Sequence, residues 1–168
     1  MKNKENNYAF IDSQNVYKGT RYDLGWEIDW ISFRAYLSHK YRITKAFLFI
    51  GFIPEHNNIY DDLRQTGFIL KFKPVLPNGK RELRAMLMPI WCCKRWLTII
   101  SYDKAVIVFS DGDFYSIVRY LYENKKLRTV SSPHRETCAS LLRKLSKDKM
   151  RYTNVLKEKL AKRKGLLR

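Results

Sequence analysis

Cysteine, glycine and acid are scarce in this sequence, and each scarcity closes off a class of protein. Three cysteines in 168 residues do not make a disulfide framework. Cys92 and Cys93 are adjacent and lack zinc-ligand spacing, while His39, His56 and His134 are scattered. The seven glycines do not cluster, so no glycine-rich loop is available to cradle a phosphate. No apolar run approaches the length of a membrane span, and the opening MKNKENNYAF has no apolar signal core. These features predict a soluble, cytoplasmic protein with reduced thiols and no membrane association. Acid is outnumbered most clearly: 16 Asp and Glu face 33 Lys and Arg, a net charge of +17. A field of that sign attracts polyanions, nucleic acid first and anionic membrane second.

What is present is a core and a pattern. Hydrophobic residues make up 45% of the chain, enough for one domain across residues 1–168. Tyr8–Asp12, Ala46–Phe52 and Ala105–Phe109 are short, nearly continuous apolar runs that read as buried strands. Phe68–Val75 alternates and reads as a strand nearer an edge, and Leu127–Val130 as a short one. Helical spacing appears over Ile28–Tyr41, His56–Gln65, Asp113–Glu123, Arg135–Leu145 and Tyr152–Lys162. Alternating strands and helices predict an α/β fold, a three-layer sandwich around a mainly parallel sheet. Residues 146–168 read as a basic helix or tail. From Arg143 to Arg168 there are eleven Lys or Arg and two acids, so this stretch carries more than half of the net charge. As a block it reads as a phosphate-contacting surface.

Two acidic motifs close the two best strands. The first is Phe10-Ile11-Asp12-Ser13-Gln14-Asn15 and the second is Phe109-Ser110-Asp111-Gly112-Asp113-Phe114. The carboxyl ends of parallel strands form the ligand crevice of such sheets. Alone, each Asp reads as a turn residue or helix cap. If the two strands are neighbours, Asp12, Asp111 and Asp113 gather into a cluster whose mutual repulsion calls for a cation. Oxygen ligands favour Mg²⁺ or Mn²⁺ over zinc. A hard metal beside a basic surface suits phosphodiester hydrolysis. Tyr17, Tyr22, Trp26 and Tyr115 flank the motifs and offer faces for stacking the bases of a single strand. Lys18 and Arg21, in the segment after the first strand, are candidate phosphate contacts.

FIDSQN, followed about a hundred residues later by YDKAVIVFSDGDFYSIVRYL, resembles the NYN domain, specifically the LabA-like branch of the PIN-like nucleases. SSPHRETCASLLRKL and the basic terminus resemble that branch too, so the likeness runs over roughly residues 8 to 160. The resemblance implies a Rossmann-like α/β/α sandwich, a divalent-metal site and ribonuclease activity. On the matching positions, Asp12, Asp111 and Asp113 would be metal ligands, and Asn15 would position a water or phosphate. Ser110 would hydrogen-bond a carboxylate or the scissile phosphate. RNA is the implied partner, and because PIN-like domains often pair, a homodimer is a further expectation. The alternative, from a different class, is a non-catalytic RNA-binding or regulatory module on the same fold.

The pattern breaks in one place. The family carries a further acidic helix resembling K-G-x-x-D-x-D-[LM]-x-L-x-x-M, whereas this chain has Lys80-Arg81-Glu82-Leu83-Arg84 followed by AMLMPIWCCKRWLTII. No Asp occurs between Lys80 and Tyr102, and Pro89 would break a helix there. Two compensating frameshifts are one account. Read one nucleotide earlier, Met88-Pro89 must give Ala and Trp91-Cys92-Cys93 must give Val-Leu, and the degenerate positions permit an Asp-rich helix. A divergent loop is the other account. Either way the chain is short of an acid, and the expectation is hydrolysis that is low or absent.

Overall fold

The computed structural model describes residues 5–73 and 101–163. Within them six parallel strands form one sheet: β1 (Asn7–Asp12), β2 (Ile43–Gly51), β3 (Phe68–Lys73), β4 (Ala105–Val108), β5 (Leu127–Ser132) and β6 (Met150–Tyr152). Their order across the sheet is β3-β2-β1-β4-β5-β6. This is the doubly wound arrangement, whose winding reverses between β1 and β4. Register places Tyr8 opposite Ala105 on one side and Lys45 on the other, and β1 and β4 run together through Ile11 and Val108. The two carboxylate motifs therefore leave adjacent strands at the topological switch point.

Helices cover both faces because the strands are apolar on both. Along β1, Tyr8 and Phe10 face one core with Phe47, Phe49, Ile107 and Phe109. That core is closed by Ile117, Val118 and Leu121 of α4 (Tyr115–Glu123) and Leu142 of α5 (Ser140–Ser146). The alternate residues Ala9 and Ile11 face a second core with Leu48, Val106 and Val108. Phe33, Leu37 and Tyr41 of α2 (Trp30–Tyr41) cover it, with Leu63 of α3 (Asn57–Gln65) and Leu160 of α6 (Lys157–Leu160). Period-two alternation between two buried faces is why the strands look continuously apolar in sequence.

Three elements differ from the sequence expectation, the first being β6, a strand where none was expected. The helix expected over Tyr152–Lys162 is a 3₁₀ turn, Asn154–Leu156, followed by the single turn of α6. Ala161 then leaves helical geometry to form an antiparallel bridge with Ile28. The helix expected from Arg135 starts only at Ser140, because Ala139 donates its N–H to the Ser110 carbonyl at 2.9 Å in a non-helical conformation. The altered segment between Lys80 and Tyr102, and the frameshift account of it, lie outside the described residues through Ile100. Among the described residues no helix is long and apolar enough to cross a membrane.

Candidate functional site

The chain turns sharply at the end of β1. Asp12 caps α1 (Ser13–Lys18), its Oδ1 accepting from the backbone N–H of Gln14 at 3.0 Å and of Asn15 at 3.4 Å. A short polar side chain at this position supplies an acceptor for otherwise unpaired helix N–H groups. Asp12 is only 5% exposed. Its other oxygen, Oδ2, accepts from Asn15 Nδ2 at 3.3 Å. The Lys73 ammonium, at the end of β3, lies 2.9 Å from Asp12 Oδ1 in a largely buried ion pair. β2 lies between β1 and β3, so the lysine side chain spans the end of that strand to reach the carboxylate.

Asn15 joins this end of the sheet to its neighbour. Its Oδ1 accepts from Ser110 Oγ at 3.1 Å and from the Ser110 backbone N–H at 3.3 Å, just beyond β4. Asn15 is thus a two-way clamp, donating to Asp12 and accepting from Ser110. Asp111 follows as an exposed cap: its Oδ1 accepts the Asp113 N–H at 3.1 Å at the start of the 3₁₀ turn Gly112–Phe114.

Between these two strand ends lies an open cleft of about 410 Å³. Gln14, Asn15, Lys18, Asp23, Ser110, Asp111 and Thr137 bring polar groups to it. Gly19 forms part of the wall by lying directly against Pro133; a Cβ there would come within 2.5 Å of Pro133 Cγ. The structure thus brings Asn15, Lys18, Ser110 and Asp111 to one cleft, with Asp12 buried behind Asn15. Asp113 is exposed and does not line the cleft. Arg21 points elsewhere, paired with Glu27 and lying over the Tyr17 ring at 5.5 Å. Asp23, Thr137 and Lys73 are absent from the sequence-based set. The alternation of FILKFKPV was the available signal for Lys73, since it ends an edge strand at the same carboxyl rim.

The donor set bears directly on a resident metal. Among the described residues no group of three or more His, Cys, Asp or Glu is placed to hold one. Of the two carboxylates at the switch point, Asp12 already meets an ammonium, an amide and two backbone N–H groups. The described residues do not fit a tightly held divalent ion: the cation beside Asp12 is the protein's own lysine.

A parallel sheet with this reversal and a polar cleft at its carboxyl rim defines a Rossmann-like α/β protein, the cleft lying where such sheets hold ligands. The NYN domain model matches residues 8–150, and the chain belongs to that family, a PIN-like one. Members of the family generally bind RNA, and PIN-like nucleases generally use divalent metals. The crystal structure of a protein of unknown function, VPA0982, from Vibrio parahaemolyticus has a similar fold, with a TM-score of 0.64 at 20% identity. That similarity covers 88% of this chain and 93% of the other. No curated protein matches the sequence.

Proposed function

We propose that this chain acts on single-stranded RNA at the switch-point cleft, and that as written it binds the strand better than it hydrolyses it. The observation that carries the reading is the Lys73–Asp12 ion pair at 2.9 Å. A carboxylate engaged this way has little capacity left for a metal, and the chain is short of the family's further acids. The +17 charge supplies long-range attraction for the polyanion. Lys18 is the proposed phosphate contact; Asn15 takes the one proton of the Ser110 hydroxyl and so holds Ser110 in the cleft wall, and Asp111 faces the incoming strand. Tyr17 and Tyr22, 37% and 69% exposed and packed edge to face, offer a surface for a base beside the cleft. The motifs FIDSQN and FSDGDF support placement in the LabA-like branch.

A metal-dependent ribonuclease is the second reading, favoured by Asp12 ending β1 and Asp111 lying three residues past the end of the adjacent β4. One experiment separates the two. A fluorescent oligouridylate is titrated in EDTA, then incubated in single-turnover format with Mg²⁺ or Mn²⁺. Binding that survives EDTA, with cleavage slow or absent, is the expected result. Rapid metal-dependent cleavage, abolished by Asp111→Asn in a variant that circular dichroism shows to be folded, would overturn the first reading and establish the second.

A further inference from the structure

The C-terminal basic stretch carries much of the charge, and the cleft uses none of it. Its described part is not a loose tail. Leu160 is completely buried in the core beneath α2. The Asp29 N–H donates to the Leu160 carbonyl at 2.7 Å, and the Lys162 N–H to the Glu27 carbonyl at 2.7 Å. These bonds flank the Ile28–Ala161 bridge and pin residues 160–162 against 27–29 as a short antiparallel strip.

Beside this strip runs a groove of about 690 Å³, lined by Arg21, Trp26, Glu27, Lys157, Lys162 and Arg163 among others. Glu27 is the single acid in it and is already paired with Arg21. Lys157, Lys162 and Arg163 are exposed, and none forms an ion pair among the described residues. Three cations held at fixed positions without counter-charges are an arrangement that anions complete. The groove also adjoins the cleft. Lys18, Gly19 and Asp23 line the cleft, whereas Arg21, Gly25, Trp26 and Glu27 line the groove. Both sites open off the same stretch of chain, residues 18–27.

We propose that this groove is a second phosphate-binding site, a track for the backbone of the RNA strand whose neighbouring segment occupies the cleft. The inference rests on the RNA reading above and adds the direction in which the strand leaves. Lys157, Lys162 and Arg163 each meet a backbone phosphate, and the bridge to Ile28 fixes their spacing. A longer strand gains contacts there that a short one cannot reach.

The test compares the full chain with the triple variant Lys157→Gln, Lys162→Gln, Arg163→Gln, using labelled oligouridylates of about four and about twenty nucleotides. A control variant carries Lys40→Gln, Arg42→Gln and Lys125→Gln. These three exposed residues lie before the starts of β2 and β5, at the opposite rim of the parallel sheet. Affinity is measured across a salt series in EDTA. Each single-strand phosphate contact contributes about 0.7 to the slope of log K against log salt, so three lost contacts flatten it by about 2. The expected result is that flattening for the long oligonucleotide with the groove variant, a much smaller change with the control, and no change for the short oligonucleotide. An unchanged slope with the groove variant, while the full chain binds normally, overturns the track and leaves the cleft reading intact. Equal flattening by both variants also overturns it, because bulk charge would then account for the effect. Failure of the full chain to bind either oligonucleotide sinks both. Loss of binding to phosphatidylserine vesicles, with RNA binding intact, would reassign the groove to a membrane surface.

Discussion

The ends of β1 and β4 carry the same chemical group and use it in opposite ways. Asp12 is buried and accepts from four donors: two backbone N–H groups, the Asn15 amide and the Lys73 ammonium. Asp111 is exposed and accepts from one donor, the Asp113 N–H. At the first strand end the carboxylate is occupied in holding three segments together. At the second, the carboxylate is exposed and lines the cleft. Two aspartates that look equivalent in sequence therefore divide into one that builds the site and one that is available to a ligand.

The sharpest way to break this comparison is to truncate each in turn. Asp12→Ala strands the Lys73 ammonium, whose side chain is 22% exposed, and uncaps α1. The lost cap costs about 0.5–2 kcal/mol, and the stranded lysine adds to it by less than the roughly 3–5 kcal/mol of a fully buried pair, because it can turn toward water. Asp111→Ala removes one cap interaction from a short turn, a loss of about 1 kcal/mol. Urea unfolding monitored by circular dichroism is the measurement. The first variant is expected to shift the midpoint strongly and the second only slightly. Equal shifts would mean that the two strand ends are not divided in the way their contacts indicate.

The sheet was legible because its strands announce themselves. AFLFIGF and AVIVF are too apolar for anything but the middle of a two-sided sheet, and the helices between them leave only parallel connections. Five of the six strands were read this way; their order across the sheet was not. β6 was not legible: Met150-Arg151-Tyr152 is three residues long inside a basic stretch, too short for alternation to register. The C-terminal helix was over-read for a related reason. Lys157 to Lys162 has helical composition, but the chain gains more by turning out of the helix at Ala161 and bridging to Ile28. The candidate site was legible as a location, because strand-end motifs mark the carboxyl rim of a sheet. The partner of Asp12 was not. Lys73 is 61 positions away in sequence and separated by a whole strand, and no local pattern encodes that a lysine reaches across β2.

The smallest expected effect concerns the link between the two ends. Ser110 is 8% exposed, and its hydroxyl donates to Asn15 Oδ1 at 3.1 Å while its backbone N–H donates to the same oxygen at 3.3 Å. Ser110→Ala deletes the first bond and keeps the second, so Asn15 Oδ1 is not left without a donor. A net loss of about 1 kcal/mol follows, at the ordinary value of one neutral hydrogen bond. Asn15→Ala removes both bonds and also the donor to Asp12. A double-mutant cycle on the pair is expected to show a coupling energy of about 0.5–1 kcal/mol. Because the hydroxyl proton is already given to Asn15, Ser110→Ala is expected to leave the affinity for the short oligouridylate unchanged, measured in EDTA on folded protein. A coupling near zero would uncouple the two strand ends, and Asp12 would then act on the cleft through the position of α1 alone.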